Sequence, residues 1–197
     1  MTPQAESVLH LFRATGAYLD GHFRLTSGLH SPNYLQCALV LRHPEAAEKL
    51  GRQLAAEVRG LTAEPIALVV SPALGGLIIG HEVARALGTP FLFTERDPET
   101  RKMSLRRGFT IQPGETAVVI EDVITTGGST LDVVEVLRAL GAKVLAAGSI
   151  IDRSGGKADV GVPRVALATL QVAAHRPEEC PLCREGLPVV KPGSRPA

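Results

Sequence analysis

The chain has 197 residues, of which 45% are hydrophobic and 21% are charged, and its formal net charge is +1. This length suits one domain with a full hydrophobic core, and the composition is typical of a soluble globular protein. The near-neutral charge argues against a nucleic-acid-binding protein. The first ten residues lack the apolar core of a signal peptide, and the apolar runs are too short to span a membrane. With only three cysteines, we expect a cytoplasmic protein with neither nucleic-acid nor membrane partners.

Segments with helix and strand periodicity alternate along the chain. In the N-terminal part, the pattern predicts a helix that ends near residue 16, irregular structure plus a strand over 22–40, and a helix over 44–60. The middle part is predicted to form a strand over 66–70, a helix over 77–87, a strand over 91–93 and a charged loop over 95–108. The C-terminal part is predicted to form a strand over 117–120, a helix over 131–140, and strands over 143–151 and 165–172. This alternation indicates an α/β fold, a doubly wound and mostly parallel sheet with helices on both faces. In such sheets ligands bind at the carboxyl ends of the strands, where the following loops meet.

Residues 117–130, AVVIEDVITTGGST, carry the most specific motif. An apolar strand ends in Glu121 and Asp122, and the next loop offers backbone N–H groups, hydroxyls and a helix N-terminus to an anion. An ordinary strand-to-helix turn is the alternative, with Ser129 or Thr130 as the helix cap and Asp132 as a capping-box partner. The two acids favour a sugar-phosphate site, because carboxylates bind hydroxyls while the loop binds phosphate. The motif is neither a Walker loop nor a dinucleotide-binding turn.

The segment EDVITTGGST (121–130) resembles the ribose-phosphate motif of type I phosphoribosyltransferases, which use 5-phosphoribosyl 1-diphosphate. Other segments are similar to the orotate-using branch of that family, namely LTSGLHSPNYLQCALVL (25–41), SPALGGLIIG (71–80), FTERD (93–97), LRRGF (105–109), IIDRSGG (150–156) and CPLCREGLPVVKPGS (180–194). The resemblance implies one domain over residues 1–197, with a hood formed by about residues 1–42 and 173–197. It also implies transfer of the phosphoribosyl group to orotate.

The resemblance assigns roles to individual residues. Those implied to bind phosphoribosyl diphosphate are Arg96, Lys102, Glu121, Asp122, Val123, Ile124, Thr125, Thr126, Gly127, Gly128 and Ser129. Within this set the two acids hold the ribose hydroxyls, residues 125–129 surround the 5′-phosphate, and Lys102 and Asp122 are catalytic. Thr125 and Arg153 are implied to bind orotate. For Arg153 the alternative is a surface salt bridge with Asp152.

The charged segment 95–107 contains five Arg or Lys residues and three acids, which suits a mobile lid that closes on diphosphate. A solvated charged loop is the alternative. The resemblance implies a homodimer whose subunits share this lid. Lys102 is the expected lid cation, and Arg106 or Arg107 can serve instead. Mg²⁺ is expected to bind mainly through the substrate diphosphate, so no protein metal ligands are predicted.

Cys180 and Cys183 form a C-x-x-C pair in a Pro-rich tail. A structural zinc site needs four ligands, and by type only Cys37 and His175 are candidates to complete it. None of the six histidines shows metal-ligand spacing, so they are predicted to be surface or cap residues. A pair of free thiols packing the tail is favoured over a metal. A purine phosphoribosyltransferase and a non-catalytic sensor of phosphoribosyl diphosphate are the alternative functions.

Overall fold

The computed structural model describes residues 2–25, 27–171 and 173–192. Met1, Thr26, Val172 and residues 193–197 lie outside the described residues, and with them parts of the N-terminal match, the last predicted strand and the C-terminal tail. The helices are α1 (Pro3–Ala14), α2 (Cys37–Leu41), α3 (Pro44–Arg59), α4 (Gly76–Leu87), α5 (Gly128–Ala139) and α6 (Pro181–Arg184), with a 3-10 turn at Pro177–Glu179. None of the helices in these ranges has the length and apolar character needed to cross a membrane.

A six-stranded sheet forms the centre of the molecule. Its strands are β3 (Leu68–Pro72), β4 (Phe91–Arg96), β5 (Met103–Leu105), β6 (Thr116–Ile124), β7 (Lys143–Asp152) and β8 (Arg164–Thr169), in the order β5-β4-β3-β6-β7-β8. All neighbours are parallel except β5, which pairs antiparallel with β4 at one edge. From β3 the chain adds strands towards one edge of the sheet, and from β6 it adds strands towards the other edge. The boundary between β3 and β6 is therefore a topological switch point, which is where open α/β sheets bind ligands. The predicted fold class is confirmed.

The central strand β6 divides the core into two layers, because successive side chains of a strand point to opposite faces. Val118 and Ile120 pack with residues of α1, α2, α3 and α4 on one face, whereas Ala117 and Val119 pack with α5 on the other. All four side chains are fully buried. This continuous apolar run is typical of a parallel strand covered on both sides, and it fixes the position of the acids that follow it.

A second, smaller unit lies beside the sheet. The name hood is kept here for a smaller set than the predicted residues 1–42 and 173–197: the antiparallel hairpin of β1 (Tyr18–Arg24) and β2 (His30–Leu35), together with residues 173–192. Helices α1 and α2, which the predicted hood included, contribute to the hydrophobic core beside the sheet. Backbone hydrogen bonds join the tail to the hairpin, with Val190 N–H donating to His22 O and His175 N–H to His30 O, both at 2.8 Å. The side chains of His22 and His30 are buried, so the prediction that the histidines are surface or cap residues is wrong for these two.

Several element boundaries differ from the prediction. Strand β6 continues through both acids to Ile124, because its second half still pairs with β7 after β3 has diverged. Part of the predicted loop 95–108 is a hairpin, in which the short edge strand β5 pairs with the end of β4. Three residues carry little strand signal of their own, so this pairing depends on the neighbouring strand.

Candidate active site

Glu121 and Asp122 lie on β6 at the switch point, beyond the part of the strand that pairs with β3. The Thr130 hydroxyl donates to Glu121 Oε2 at 2.5 Å, which ties the first acid to the start of α5. The loop before α4 packs directly on the second acid. A Cβ placed on Gly75 would lie 2.7 Å from Asp122 Oδ1, so a side chain there would displace the carboxylate.

Desolvation determines the electrostatics of this carboxylate pair. It raises the pKa of Glu121 from 4.5 to about 7; Asp122 adds to the rise, while Thr130 and Arg96 oppose it. Desolvation also raises the pKa of Asp122, against backbone hydrogen bonds that include one from Val123 N–H at 2.8 Å. Two poorly hydrated carboxylates side by side gain from a ligand that brings hydroxyl donors or a cation.

The loop after β6 encloses a polar cavity of about 110 Å³. It is lined by Glu121, Val123, Ile124, Thr125, Thr126, Gly127, Gly128 and Ser129, which are all of residues 121–129 except Asp122. Gly127 has a φ of +84° and is the N-cap of α5, so free N–H groups of the first turn lie at this cavity. A Cβ on Gly127 would approach Val160 Cγ1 to 2.9 Å, so both its backbone conformation and its surroundings favour glycine.

The predicted cap of α5 is wrong. Ser129 and Thr130 lie inside the helix, and the Thr130 hydroxyl is used by Glu121. Asp132 binds the guanidinium of Arg96 at 2.6 Å and is therefore no capping-box partner. With no side chain capping the helix, its N-terminal N–H groups remain for a ligand.

Arg153 follows β7 at the same edge of the sheet. Its backbone N–H donates to Ile124 O at 2.8 Å, which places it beside Thr125. Its Nε is buried and has no hydrogen-bond partner in the part of the chain that the structure describes. Desolvation lowers the pKa of Arg153. The expected alternative is wrong, because Asp152 instead accepts a hydrogen bond from Arg164 Nη1 at 2.9 Å.

Two residues beside the site were not singled out by the motif. Burial raises the pKa of Tyr34, the Arg153 guanidinium lowers it and Asp122 raises it, so the phenol interacts electrostatically with both residues. Cys37 is buried, with Sγ 4.0 Å from Asp122 O, and burial raises the pKa of its thiol well above the usual value. Both residues lie in segment 25–41, where the resemblance was the only sequence signal.

The lid segment is a hairpin with its own internal contacts. Asp97 Oδ1 accepts hydrogen bonds from the backbone N–H groups of Glu99 and Thr100 and so organises the turn. Arg96 donates from Nη1 to Arg101 O at 2.7 Å while its Nη2 holds Asp132 on α5. The base of the lid is therefore fixed to the helix that begins at the phosphate loop.

The cationic side chains of the lid differ in whether they form ion pairs. Arg107 forms a bidentate pair with Glu95, at 2.9 and 2.7 Å, within the hairpin. The exposed side chains of Lys102 and Arg106 form no hydrogen bond or ion pair with any of the described residues. Of the three candidates for the lid cation, these two remain available to a substrate.

The donor set also tests the expected Mg²⁺. Glu121 and Asp122 are oxygen ligands of the type that Mg²⁺ accepts, and the remaining positions around such an ion are filled by waters and substrate oxygens. Among the described residues, no third acid, histidine or cysteine joins these two in a metal-binding cluster. The pair fits an ion whose ligands come largely from a bound diphosphate.

Comparison with known proteins agrees with this geometry. Residues 40–178 match the family model described as "Phosphoribosyl transferase domain". The chain belongs to the phosphoribosyl transferase family. Orotate phosphoribosyltransferase of Pelotomaculum thermopropionicum is 53% identical over 96% of this chain and 97% of its own. Orotate phosphoribosyltransferase of Heliobacterium modesticaldum is 52% identical over 96% of this chain and 98% of its own.

Solved structures share the fold. The crystal structure of orotate phosphoribosyltransferase from Aeropyrum pernix has a TM-score of 0.68 and 28% identity, and the match covers 83% of this chain and 94% of that one. Adenine phosphoribosyl transferase from Trypanosoma brucei has a TM-score of 0.61 and 20% identity, with 85% and 80% covered. Enzymes that use different bases therefore share this fold, and the fold alone does not select the base.

Proposed function

We propose that this protein transfers the 5-phosphoribosyl group of 5-phosphoribosyl 1-diphosphate to orotate, giving orotidine 5′-phosphate and diphosphate in pyrimidine biosynthesis. Curated relatives at about 50% identity over nearly the whole chain support this reaction. The observation that carries the choice of base is Arg153, whose buried Nε has no partner among the described residues. A desolvated guanidinium suits the carboxylate of orotate, a group that purine bases lack.

The sugar diphosphate is bound by the motif on β6 and α5. The 5′-phosphate occupies the cavity at residues 125–129, where it accepts hydrogen bonds from N–H groups and hydroxyls. Glu121 and Asp122 accept hydrogen bonds from the ribose hydroxyls. These contacts hold C1 of the ribose next to the base. The reaction between the sugar diphosphate and orotate therefore takes place between two molecules that are already bound and oriented.

The transfer step breaks the bond between ribose C1 and a diphosphate oxygen. The electron pair of that bond leaves with the diphosphate, and a ring nitrogen of orotate forms the new bond to C1 from the opposite face. That nitrogen loses its N–H proton, which is taken up by an oxygen of the departing diphosphate. Lys102, with Arg106 as the alternative, stabilises the departing charge when the lid closes. Mg²⁺ on the diphosphate supplies further neutralisation when bound. Arg153 and Thr125 orient the base.

The assay that tests this function compares bases directly. Purified protein is mixed with Mg²⁺ and phosphoribosyl diphosphate, and orotate, adenine, guanine and hypoxanthine are supplied in separate reactions. We expect loss of orotate absorbance with stoichiometric release of diphosphate, and no turnover of the purines. Purine turnover would identify a purine enzyme. Binding of phosphoribosyl diphosphate without turnover of any base would identify a sensor.

The protein is further proposed to be a cytoplasmic homodimer in which each subunit lends its lid to the other. Two observations support sharing of the lid. The Lys102 side chain forms no hydrogen bond or ion pair within the described part of its own chain, and Arg106 interacts electrostatically with Glu95 and Asp97 without a hydrogen bond to either. Leu74, in the loop before α4, and Ile78, in its first turn, are 76% and 45% exposed, which favours cover by another copy. Cysteines that form no disulfide, as Cys37, Cys180 and Cys183 do not, are typical of a reducing compartment.

Mixing two impaired variants, assayed with orotate well below its KM, tests the shared lid. Lys102→Ala removes the lid cation and Arg153→Ala removes the base contact. If the lid acts across the interface, a mixed dimer has one site with both residues intact, so the co-refolded mixture recovers about one quarter of wild-type activity. If the lid acts within its own chain, every site lacks one of the two residues and no activity returns.

A further inference from the structure

Four potential metal ligands meet in the hood. His22 on β1, His30 on β2 and Cys180 and Cys183 of the tail place one ligand atom each within 4.8 Å of all the others. The side chains of His22, His30 and Cys180 are buried, and that of Cys183 is exposed. The cluster therefore joins three segments, two of which are separated from the third by about 150 residues of sequence.

The contacts are too numerous for hydrogen bonds alone. His22 Nε2 lies 2.9 Å from His30 Nδ1, 3.5 Å from Cys180 Sγ and 3.6 Å from Cys183 Sγ. A neutral imidazole has one lone pair, on its unprotonated nitrogen, and cannot accept from three donors at once. His30 Nδ1 is likewise approached by Cys183 Sγ at 3.2 Å. Lone pairs that converge in this way are satisfied together by a cation between them.

The tautomer of His22 supports this arrangement. Its Nδ1 lies 2.8 Å from Leu187 O, and since a carbonyl oxygen only accepts, Nδ1 carries the proton. The other ring nitrogen, Nε2, then points an unprotonated lone pair at the cluster. A metal-binding histidine usually donates its second N–H to a carbonyl or carboxylate in this manner.

We propose that His22, His30, Cys180 and Cys183 form a structural zinc site. In a tetrahedral Cys₂His₂ site, Zn–N bonds of about 2.0 Å and Zn–S bonds of about 2.3 Å separate the ligand atoms by about 3.3 to 3.8 Å. Four of the six distances among these atoms lie between 2.9 and 3.6 Å, and the two from His22 Nε2 to the sulfur atoms, 3.5 and 3.6 Å, fall within that range. All six distances are within 4.8 Å, so small side-chain shifts bring the four atoms around one ion. Thiolate and imidazole ligands select zinc over the hard cations Mg²⁺ and Ca²⁺.

The site is structural because the protein supplies all four ligands and leaves no position for a substrate. Its ion links the β1–β2 hairpin to the tail, which otherwise join through a few backbone hydrogen bonds such as that from Arg24 N–H to Val190 O. The two candidates named by residue type, Cys37 and His175, do not belong to this cluster. Cys37 lies against Asp122 in the active site, and the histidines of the hairpin take its place.

Metal content tests the proposal. Protein from zinc-supplemented cells, purified without chelator, is measured by elemental analysis, and about one zinc per chain is expected. The double variant Cys180→Ser/Cys183→Ser should lose the metal. Cys37→Ala is the matched control, because it removes a buried thiol outside the cluster and should retain the full zinc content.

A second measurement does not depend on how the variants fold. Chelator-treated wild-type protein is titrated with Co²⁺, and the charge-transfer absorption of a cobalt thiolate together with the visible bands of tetrahedral cobalt is expected. Added Zn²⁺ should abolish these bands and protect two thiols from a thiol reagent. Zinc-free wild-type protein that gives no cobalt thiolate bands would overturn the proposal. So would full zinc content in the double variant, or a Cys180–Cys183 disulfide in protein isolated without reductant.

Discussion

The active site and the hood both gather polar side chains, but they leave them in opposite states. At the carboxyl ends of β6 and β7, polar groups are poorly solvated: Arg153 Nε is buried without a hydrogen-bond partner among the described residues, and desolvation raises the pKa of Glu121 to about 7. In the hood, groups crowd together, and His22 Nε2 has three neighbours within 3.6 Å. Buried polar groups without hydrogen-bond partners at the carboxyl ends of the strands indicate a site for a substrate that binds and dissociates. Excess lone pairs in a closed cluster indicate an ion that stays.

The largest effect should follow from removing one charge of the carboxylate pair. Asp122→Asn keeps the shape of the side chain and its packing on Gly75 but loses the negative charge. We expect kcat to fall by about 10³-fold, as is typical when a charged group at the transition state is removed. Steady-state kinetics with orotate measures this. Glu45→Gln, an exposed acid in the first turn of α3, is the control and should keep its activity. An Asp122→Asn enzyme with near-normal kcat would remove this acid from the chemistry.

The hood should respond to chelation in stability rather than in chemistry. Binding at a thousandfold excess over Kd stabilises a protein by about 4 kcal/mol. For a chain of this size that corresponds to a Tm change of about 10 °C. Calorimetry of wild-type protein with and without chelator measures the shift. The Cys180→Ser/Cys183→Ser variant should already have the lower Tm and should not respond to chelator. An equal response in both proteins would show that the chelator acts elsewhere.

Loss of the base contact should be a smaller effect than loss of the acid. Arg153→Ala should raise the KM for orotate and lower kcat/KM by about 10²-fold, because the carboxylate loses a desolvated charge-assisted partner. Calorimetric titration with phosphoribosyl diphosphate alone should give an unchanged Kd. Arg52→Ala, which removes an exposed arginine whose one ion-pair partner among the described residues is Glu48 on α3, should alter neither value. If the variant instead loses affinity for the sugar diphosphate, Arg153 belongs to a different subsite.

The two regions also differ in how far the sequence predicts them. The motif at 121–129 is contiguous, so one strand, one glycine turn and one helix N-terminus carry most of the site, and its residues line one cavity. The helix cap was predicted wrongly because Thr130 and Asp132 are engaged by side chains from elsewhere, Glu121 and Arg96. Local capping rules contain no information about such partners.

The hood cluster was beyond prediction for a similar reason. Cys180 and Cys183 give a weak signal alone, and His22 and His30 are eight positions apart in a segment predicted to be partly irregular. Only antiparallel pairing of β1 with β2 brings both imidazoles to one place, and only docking of the tail adds the thiols. A motif split between a hairpin and a distant tail becomes visible once the fold is known. The roles of Lys102, Arg153 and the other site residues remain predictions until substrates are bound.

The smallest expected effect is a pH dependence caused by Glu121, a desolvated group of the active site that differs in this respect from the clustered ligands of the hood. Its pKa is raised from 4.5 to about 7, so between these values the folded state binds more protons than the unfolded state. The contribution of this group to protein stability is therefore complete below about pH 4.5 and is lost as the pH rises towards 7.

Ligand affinity should instead increase as the pH rises, because the ionised carboxylate is the form that accepts hydrogen bonds from the ribose hydroxyls. The affinity of wild-type protein for phosphoribosyl diphosphate should rise about tenfold from pH 6 to pH 8, relative to Glu121→Gln. The variant corrects for titration of the ligand's own phosphates. Parallel affinity curves for the two proteins would show that Glu121 is already ionised at pH 6, and hence better paired than its surroundings indicate.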